Sequence, residues 1–328
     1  MTAAERMKRL TVVMLADPGN LAHGGRSLGR GQADIYLVRA LRRLTKRALL
    51  VPYDGVAELA QCIERERPDV IFNLTEWIEG DRMKDGHICA LLDLYDVPYT
   101  GAGPKGLMLC RDKIISKLIA ADAGFAVPRY FVAGPRTRSP LPFPLVVKPR
   151  FGDASEGISQ NSLVHSNAAL LRRAAMLRRG GVESVIAEEY AAGRELLVTI
   201  LGKRIMSIRE LVIGRSGPNS PAIFSAELKH DKKYRRRWAV RMEPASLTRT
   251  QRQHLKALSR RAAAALELRD YGRLDLKLTP NGEFVFLEAN PNPAVVPPRK
   301  SFSGSWGGMA FDHVVTEITL RALRRRER

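Results

Sequence analysis

The 328-residue sequence contains few cysteines and no long apolar run. Its three cysteines, Cys62, Cys89 and Cys110, are odd in number and widely spaced, so they indicate neither a disulfide framework nor a zinc site and favour a reducing, cytoplasmic setting. No apolar stretch approaches the roughly 18 to 20 residues that a membrane-spanning helix needs. The run 10–16 is too short for a signal-peptide core, and we expect a first β-strand there.

Acidic residues are also scarce, with 34 Asp and Glu against 54 Lys and Arg, for a net charge of +20. Such an excess raises the hypothesis of a nucleic-acid partner. The basic clusters at 229–237, around Arg260 and at 321–328 lack interleaved aromatic side chains, on which bases could stack. We therefore expect a solvated basic surface, and specific nucleic-acid binding is disfavoured.

The strongest pattern is an alternation of polar and apolar residues over 273–293, interrupted by Thr-Pro-Asn-Gly, which predicts a β-hairpin. Its polar face carries Arg273, Asp275, Glu288 and Asn290. The apolar face of the second strand is predicted to carry Val285, Leu287 and Ala289. A two-residue loop would place Asp275 directly opposite Glu288, whereas a four-residue loop would place these acids diagonally. The amphipathic segment 249–268 predicts a helix against the apolar face.

The polar face of this hairpin indicates a metal site. Two carboxylates and an amide oxygen are hard ligands suited to Mg²⁺, and the neighbouring arginine could meet a phosphate or a developing oxyanion. An ordinary amphipathic hairpin with a solvated outer face is the alternative. The ending Glu-Ala-Asn-Pro-Asn-Pro favours the metal site, because its prolines fix the path of the chain after the second acid.

This stretch resembles the metal-binding signature of the ATP-grasp superfamily. Within that superfamily, its sequence is most similar to the motif of the D-alanine-D-alanine ligase family. The resemblance extends over nearly the whole chain and implies an ATP-grasp fold of mixed α/β class. Strands and helices alternate over the first hundred residues, which independently predicts a small parallel, Rossmann-like α/β domain. The expected domains are 1–104, a central lid domain at 105–188 and a catalytic domain at 189–328.

A lysine at the end of a strand, followed by a glycine- and serine-containing loop, suits a phosphate clamp, as at Lys148 and Ser155. The family resemblance implies further roles. The phosphate contacts would be Lys113, Lys148, Ser155 and Lys229. The adenine contacts would be the side chain of Glu188 and the main chain of Tyr190 and Ala191. Glu195 would bind the ribose.

The resemblance also implies the catalytic groups. Two Mg²⁺ ions, or Mn²⁺, would be held by Asp275, Glu288 and Asn290. Arg273 would stabilise the oxyanion, and Ser155 would hold the transferring phosphoryl group. The implied reaction activates a small carboxylate as an acyl phosphate, which an amine then attacks. A cytoplasmic homodimer without a membrane partner is what the family suggests.

The substrate motifs differ from those of the family. Gly29 stands where the family has an amine-binding glutamate, and the segment 73–77 replaces a His-Gly pair. Glu76 in that segment could substitute for a substrate-binding group or cap a surface loop. Ala294 replaces a glycine, and Arg299 or Lys300 occupies the region that binds the substrate carboxylate.

Three functional hypotheses follow from these differences. The first is a D-alanine-D-alanine ligase that makes a peptidoglycan precursor. The second is a related ATP-dependent ligase for a different, more anionic amino acid or carboxylate. The third is a non-catalytic, basic nucleic-acid-binding protein on the same fold, which the presence of all the predicted metal ligands disfavours.

Overall fold

The computed structural model of the chain describes residues 1–18, 21–22, 27–28, 34–152, 157–215, 223–225, 227–228, 231–297, 302 and 306–326. The strands are β1 (Thr11–Ala16), β2 (Leu21–Ala22), β3 (Ser27–Leu28), β4 (Arg47–Pro52), β5 (Val70–Leu74), β6 (Tyr130–Val132), β7 (Leu145–Pro149), β8 (Leu163–Val164), β9 (Val185–Glu189), β10 (Arg194–Leu201), β11 (Arg204–Ile213), β12 (Val240–Pro244), β13 (Tyr271–Leu278) and β14 (Phe284–Asn290).

The α-helices are α1 (Ala3–Met7), α2 (Ile35–Leu44), α3 (Val56–Glu66), α4 (Asp85–Leu94), α5 (Pro104–Arg111), α6 (Lys113–Asp122), α7 (Asn167–Arg179), α8 (Lys232–Arg237), α9 (Arg249–Ala265) and α10 (Phe311–Arg326). Short 3-10 helices occupy Arg82–Lys84 and Gln160–Ser162. Among the residues that the structure describes, no helix is both long enough and apolar enough to cross a membrane.

The N-terminal sheet is parallel, with the order β4-β1-β5. Its central strand β1 is buried on both faces, which explains its unbroken apolar sequence. Val12 and Met14 pack in the core that contains α2, whereas Val13 and Leu15 pack in the core that contains α3. Successive side chains of a strand point to opposite faces, so one apolar run serves both layers. The parallel α/β prediction for this region is confirmed.

Two antiparallel sheets follow, with the orders β6-β9-β7-β8 and β12-β11-β10-β13-β14. The apolar side chains of α7 pack on the first of these sheets. Helix α9 packs on the hairpin β13-β14, where Leu255 and Leu258 share a core with Leu274 and Phe286. The predicted helix on the apolar face of the hairpin is therefore confirmed, while the domain boundaries after 104 and 188 remain predictions.

The register of the hairpin corrects the sequence prediction. Asp275 does lie opposite Glu288, but Leu276 faces Phe286 and Leu278 faces Phe284, because the pairing shifts by one residue at Leu287. The amide of Thr279 donates to the carbonyl of Glu283 at 3.0 Å, so the turn is neither of the two predicted loops. A one-residue bulge exchanges the two faces of a strand. The prediction that Val285 and Leu287 face the leucines of β13 was therefore wrong.

All three cysteines are buried free thiols, as the sequence predicted. The thiol of Cys89 lies close to the side chain of Asn73, at 3.5 Å, beneath the N-terminal sheet. Burial raises the pKa of the Cys89 thiol to about 12, which keeps it protonated and makes it a poor nucleophile. Cys89 therefore serves packing rather than chemistry.

Candidate functional site

A cleft lies between the two antiparallel sheets and encloses about 610 Å³, including space open to solvent. Strands β7 and β9 supply one wall, and β10 with the hairpin β13-β14 supplies the other. The sequence-predicted residues that line it are Lys148, Glu188, Tyr190, Ala191, Glu195, Asp275 and Glu288. The fold thus brings together residues proposed for phosphate, adenine, ribose and metal, although they are spread over 141 residues of chain, from Lys148 to Glu288.

The most deeply buried polar group at this cleft is the carboxylate of Glu188, which is 2% exposed. One of its oxygens pairs with the ammonium of Lys148, and the other lies 3.0 Å from that of Lys117. Burial opposes ionisation of Glu188, but the two lysines lower its pKa below the ordinary value. The triad Lys117-Glu188-Lys148 therefore holds one negative charge between two positive ones.

Lys117 has no exposed surface, and burial lowers its pKa to about 8 despite the neighbouring carboxylate. It lies on α6, so the triad connects this helix to the sheet of β7 and β9. Since the Glu188 carboxylate already meets two ammonium groups, its proposed contact with adenine stays a prediction. Lys117 was not assigned a role from the sequence, although it follows Lys113 by one helical turn.

A second buried ion pair crosses from β10 to β13. The ammonium of Lys277 lies 2.9 Å from the carboxylate of Glu195, and the two residues are direct cross-strand partners. Burial opposes the charge of Lys277, but Glu195 raises its pKa above the ordinary value. Glu195, the predicted ribose contact, thus reaches the cleft with its carboxylate held in place by Lys277.

The polar face of the hairpin carries the predicted catalytic and metal residues. Asp275 pairs with Glu288, and Arg273 pairs with Asn290, in the register of β13 and β14. The guanidinium of Arg273 makes two hydrogen bonds to the Asp275 carboxylate, at 2.6 and 2.9 Å. Bidentate contact of this kind orients both groups.

The donor set of this face fits magnesium. Asp275 and Glu288 supply carboxylate oxygens and Asn290 supplies an amide oxygen, which are the hard ligands that Mg²⁺ prefers. Within the described ranges, no group of three or more His, Cys, Asp and Glu side chains could hold a metal ion. Two protein carboxylates suffice for Mg²⁺ when phosphate oxygens and water complete its shell.

Lys113 lies beside the start of the predicted phosphate loop. Its ammonium donates to the carbonyl of Gly152 at 2.9 Å, and its predicted contact with the ATP phosphate stays a prediction. Beside it, Arg150 makes a bidentate contact with Asp112, the N-cap residue of α6. These contacts fasten the base of the loop to α6.

Several predicted residues lie outside the described residues: Ser155, Lys229, Arg299 and Lys300. Gly29 and most of the glycine-rich segment 23–31 do as well. The roles predicted for them stay predictions.

The apolar wall of the cleft was missed by sequence reasoning. It consists of Val146, Ile158, Ile223, Phe224 and Leu287. Leu287 lies there because of the bulge in β14, which turns it away from the core. An apolar slot beside paired charges is suited to a flat heterocycle that carries a polyanion.

Comparison with known proteins adds three findings. A sequence model described as "D-ala D-ala ligase C-terminus" matches residues 134–319, which is more than half of the chain. An uncharacterized protein of Sinorhizobium fredii is 31% identical over 269 residues, covering 79% of this chain and 77% of that protein. The D-alanine-D-alanine ligase of Aromatoleum aromaticum is 31% identical over 224 residues, covering 66% of this chain and 68% of that enzyme.

The fold is similar to that of a solved structure, the D-alanine-D-alanine ligase from Bacillus anthracis complexed with ATP. The TM-score is 0.70 with 18% sequence identity, over 97% of this chain and 99% of that chain. At this level of identity the likeness concerns the fold.

Proposed function

Since the chain belongs to the D-alanine-D-alanine ligase family of ATP-dependent ligases, as its sequence predicted, we propose that it joins a small carboxylate to an amine through an acyl phosphate. The observation that carries the proposal is the cross-strand pairing of Asp275 with Glu288 at the edge of the cleft, beside Arg273. The proposal includes a cytoplasmic setting and a homodimer.

Different parts of the cleft would bind the base, the ribose and the phosphates of ATP. The apolar wall with Leu287 and Phe224 receives the base, and the main chain of Tyr190 and Ala191 lies at its rim. The carboxylate of Glu195, oriented by Lys277, accepts hydrogen bonds from ribose hydroxyls. Lys148 lies at the end of β7, and 5% of its surface is exposed. Its ammonium group pairs with Glu188 and can contact a phosphate when the side chain changes its rotamer.

The reacting end of the cleft is the polar face of the hairpin. Asp275, Glu288 and Asn290 would hold Mg²⁺, which when bound neutralises charge on the triphosphate. Arg273 is anchored by Asp275 and presents its guanidinium to the oxyanion that forms when the amine adds to the activated carboxyl carbon. No protein nucleophile is needed, because the phosphate itself is the leaving group.

The proposal does not include specificity for D-alanine. The residues that the family uses for the substrate amine are replaced by Gly29 and by the segment 73–77. This difference favours a ligase with another substrate as the second candidate.

The test is phosphate release from Mg-ATP by the purified protein, first with D-alanine and then with a panel of amino acids and small carboxylates. We expect release that depends on both an acceptor and Mg²⁺ and that disappears in EDTA. The Asp275→Asn variant serves as the inactive control. If no acceptor stimulates release and calorimetry detects no binding of Mg-ATP, the ligase proposal is wrong.

A further inference from the structure

A second cavity lies where the end of α4, the segment 97–99 and the end of α10 meet. We call it the junction cavity. It encloses about 570 Å³, including space open to solvent. Sites for small molecules commonly enclose roughly 300 to 1,000 Å³. Among the described residues, none lines both this cavity and the nucleotide cleft, so the two are separate.

The guanidinium group of Arg269 is held in a fixed position at this cavity. Its Nε donates to the carbonyl of Gly101 at 3.2 Å, and its carbon lies 5.0 Å from the centre of the Tyr99 ring. A β-carbon at Gly103 would be 2.8 Å from that guanidinium carbon, so the glycine permits the close approach. The Nη2 group of Arg269 is buried and has no hydrogen-bond partner among the described residues. Arg269 is therefore an oriented donor that the described protein leaves without an acceptor.

An independent observation comes from Tyr99, which is 3% exposed and lines the same cavity. Its hydroxyl is buried and meets no described group in hydrogen-bonding geometry, whereas buried tyrosine hydroxyls normally have a partner. Arg269 and Asp93, which also line the cavity, are close enough to act on this hydroxyl. Burial raises the pKa of the Tyr99 hydroxyl, so it keeps its proton and can donate. Two neighbouring donors can bind the two oxygens of one carboxylate.

The charges around the junction cavity indicate what else the ligand carries. The two arginines of α10 that line it are paired with Asp270 and Asp96. Arg269 and Asp93 form no ion pair within the described ranges, so one cation and one anion remain. A simple anion would meet Asp93 as a like charge. An α-amino acid carries one carboxylate and one ammonium group and matches both remaining charges.

The rest of the cavity wall is apolar, with Leu92, Val97, Pro98 and Ala322 as its lining. Contact with such a wall removes apolar surface of a ligand from water and stabilises the bound state. The wall therefore favours an amino acid with an aliphatic side chain over one with a charged side chain.

Hydrogen bonds fix the walls of the cavity to each other. Asp270, directly before β13, accepts from the backbone amide of Gly101 at 2.8 Å and pairs with Arg325 of α10. Arg325 also donates to the carbonyl of Tyr99. Three parts of the chain are thus joined around the cavity without a ligand. A preorganised site loses less free energy to ordering when a ligand binds.

We propose that the junction cavity is a binding site for an α-amino acid with an aliphatic side chain. The carboxylate accepts hydrogen bonds from the Tyr99 hydroxyl and from Nη2 of Arg269, and the ammonium group lies beside Asp93. The aliphatic side chain contacts the apolar wall. The inference goes beyond the proposed function, because this site shares no described residue with the nucleotide cleft and requires neither ATP nor a metal ion.

The experiment is calorimetric titration of the full chain, without nucleotide, with both enantiomers of leucine. Two further probes each lack one charged group, since 4-methylpentanoate lacks the amine and 3-methylbutylamine lacks the carboxylate. We expect one enantiomer of leucine to bind at least ~10-fold more tightly than either probe, because each probe loses the hydrogen bonds of a charged group.

Tyr99→Phe is the decisive variant, because it removes only the hydroxyl and keeps the ring against Arg269. It should weaken leucine binding about fivefold. It should leave the free energy of unfolding unchanged or higher, since the hydroxyl has no described protein partner to lose. Asp93→Asn should weaken the binding of leucine and not that of 4-methylpentanoate. Tyr95→Phe, at an exposed tyrosine outside the cavity lining, is the matched control and should bind as the unaltered chain does.

Arg273→Ala separates this site from the proposed reacting end of the cleft and should leave leucine binding unchanged. Leucine binding that Arg273→Ala abolishes and Tyr99→Phe leaves intact would place the amino acid in the cleft and overturn the junction site. Absence of leucine binding, or binding no tighter than that of 4-methylpentanoate, would also overturn it. These results leave the ligase proposal standing. Leucine binding that depends on Tyr99 and Asp93 supports the site whether or not Mg-ATP is turned over.

Discussion

The proposed nucleotide cleft and the acid cluster of Asp17, Asp34 and Glu76 both hold charged side chains, but in opposite ways. In the cleft, each buried acid has a cation: Glu188 has two lysines, Glu195 has Lys277, and Asp275 has Arg273. In the cluster, Asp34 has Asp17 and Glu76 as its charged neighbours and forms no ion pair within the described structure. The acids of the cleft are thus paired within the protein, whereas like charges act on Asp34.

The largest expected effect lies at the reacting end of the cleft. Asp275→Asn removes a predicted metal ligand and the anchor of Arg273 together. A metal ion contributes several kcal/mol of transition-state stabilisation, so turnover should fall roughly 1,000-fold. Steady-state phosphate release measures it. Glu283→Gln, an exposed acid in the turn of the same hairpin, is the control and should keep full turnover. A fall of less than tenfold for Asp275→Asn would remove this residue from the metal site.

The next effect concerns stability and tests whether the cleft is preorganised by its paired charges. Lys117→Met leaves Glu188 buried with one lysine, and breaking a buried ion pair costs about 3 kcal/mol or more. Denaturant unfolding gives the free energy of unfolding directly. The matched control is Arg129→Met, which breaks the exposed pair with Glu189 and should leave the free energy of unfolding nearly unchanged.

Equal losses for these two variants would show that Lys117 contributes no more than a surface charge. A double variant, Lys117→Met with Glu188→Gln, sharpens the test. Removing the carboxylate charge as well should restore part of the stability, because the cost arises from the uncompensated acid.

Arg273→Ala should have a smaller effect on turnover than the loss of Asp275. We expect turnover to fall ~100-fold, with ATP affinity much less affected, because the guanidinium acts mainly on transition-state charge. Phosphate release and ATP titration together separate the two quantities. Arg273→Lys keeps the charge but loses the bidentate geometry, so it should recover activity only in part. Parallel losses of ATP affinity and turnover would assign Arg273 to nucleotide binding instead.

The two regions also differ in how far the sequence revealed them. The period of two in β13 and β14 was enough to place Asp275 and Glu288 on one face, but it left open whether they lie opposite each other, as they do, or diagonally. The bulge at Leu287 was not predictable. Phe284, Val285, Phe286 and Leu287 are consecutive apolar residues, so either alternate set could face the core. Lys148 could be picked out from the sequence, because it is a lysine at the end of a short apolar strand. The buried partner Lys117 gave no such signal, because a lysine in an amphipathic helix is usually exposed.

The acid cluster could not be read from the sequence as a unit. Asp17 and Glu76 are 59 residues apart and meet because β1 and β5 are neighbours in the N-terminal sheet. The sequence pointed to Glu76 alone, because the segment 73–77 differs from a family motif. Propensity and periodicity do not specify strand order, and strand order brings these acids together.

The smallest expected effect is a pH-dependent change in stability at Asp34. Burial and the facing acids Asp17 and Glu76 raise the pKa of Asp34 from 3.8 to about 7. Between these values the folded protein retains a proton that the unfolded chain releases, so stability falls as pH rises through this window. Asp34→Asn removes the buried charge and should stabilise the protein by about 1 kcal/mol at pH 8, with little change near pH 4.

Thermal unfolding at the two pH values measures this difference, with Asp122→Asn as the control for an exposed aspartate. An equal change for Asp34→Asn at both pH values would show that its carboxylate is well solvated, and the contrast with the cleft would disappear.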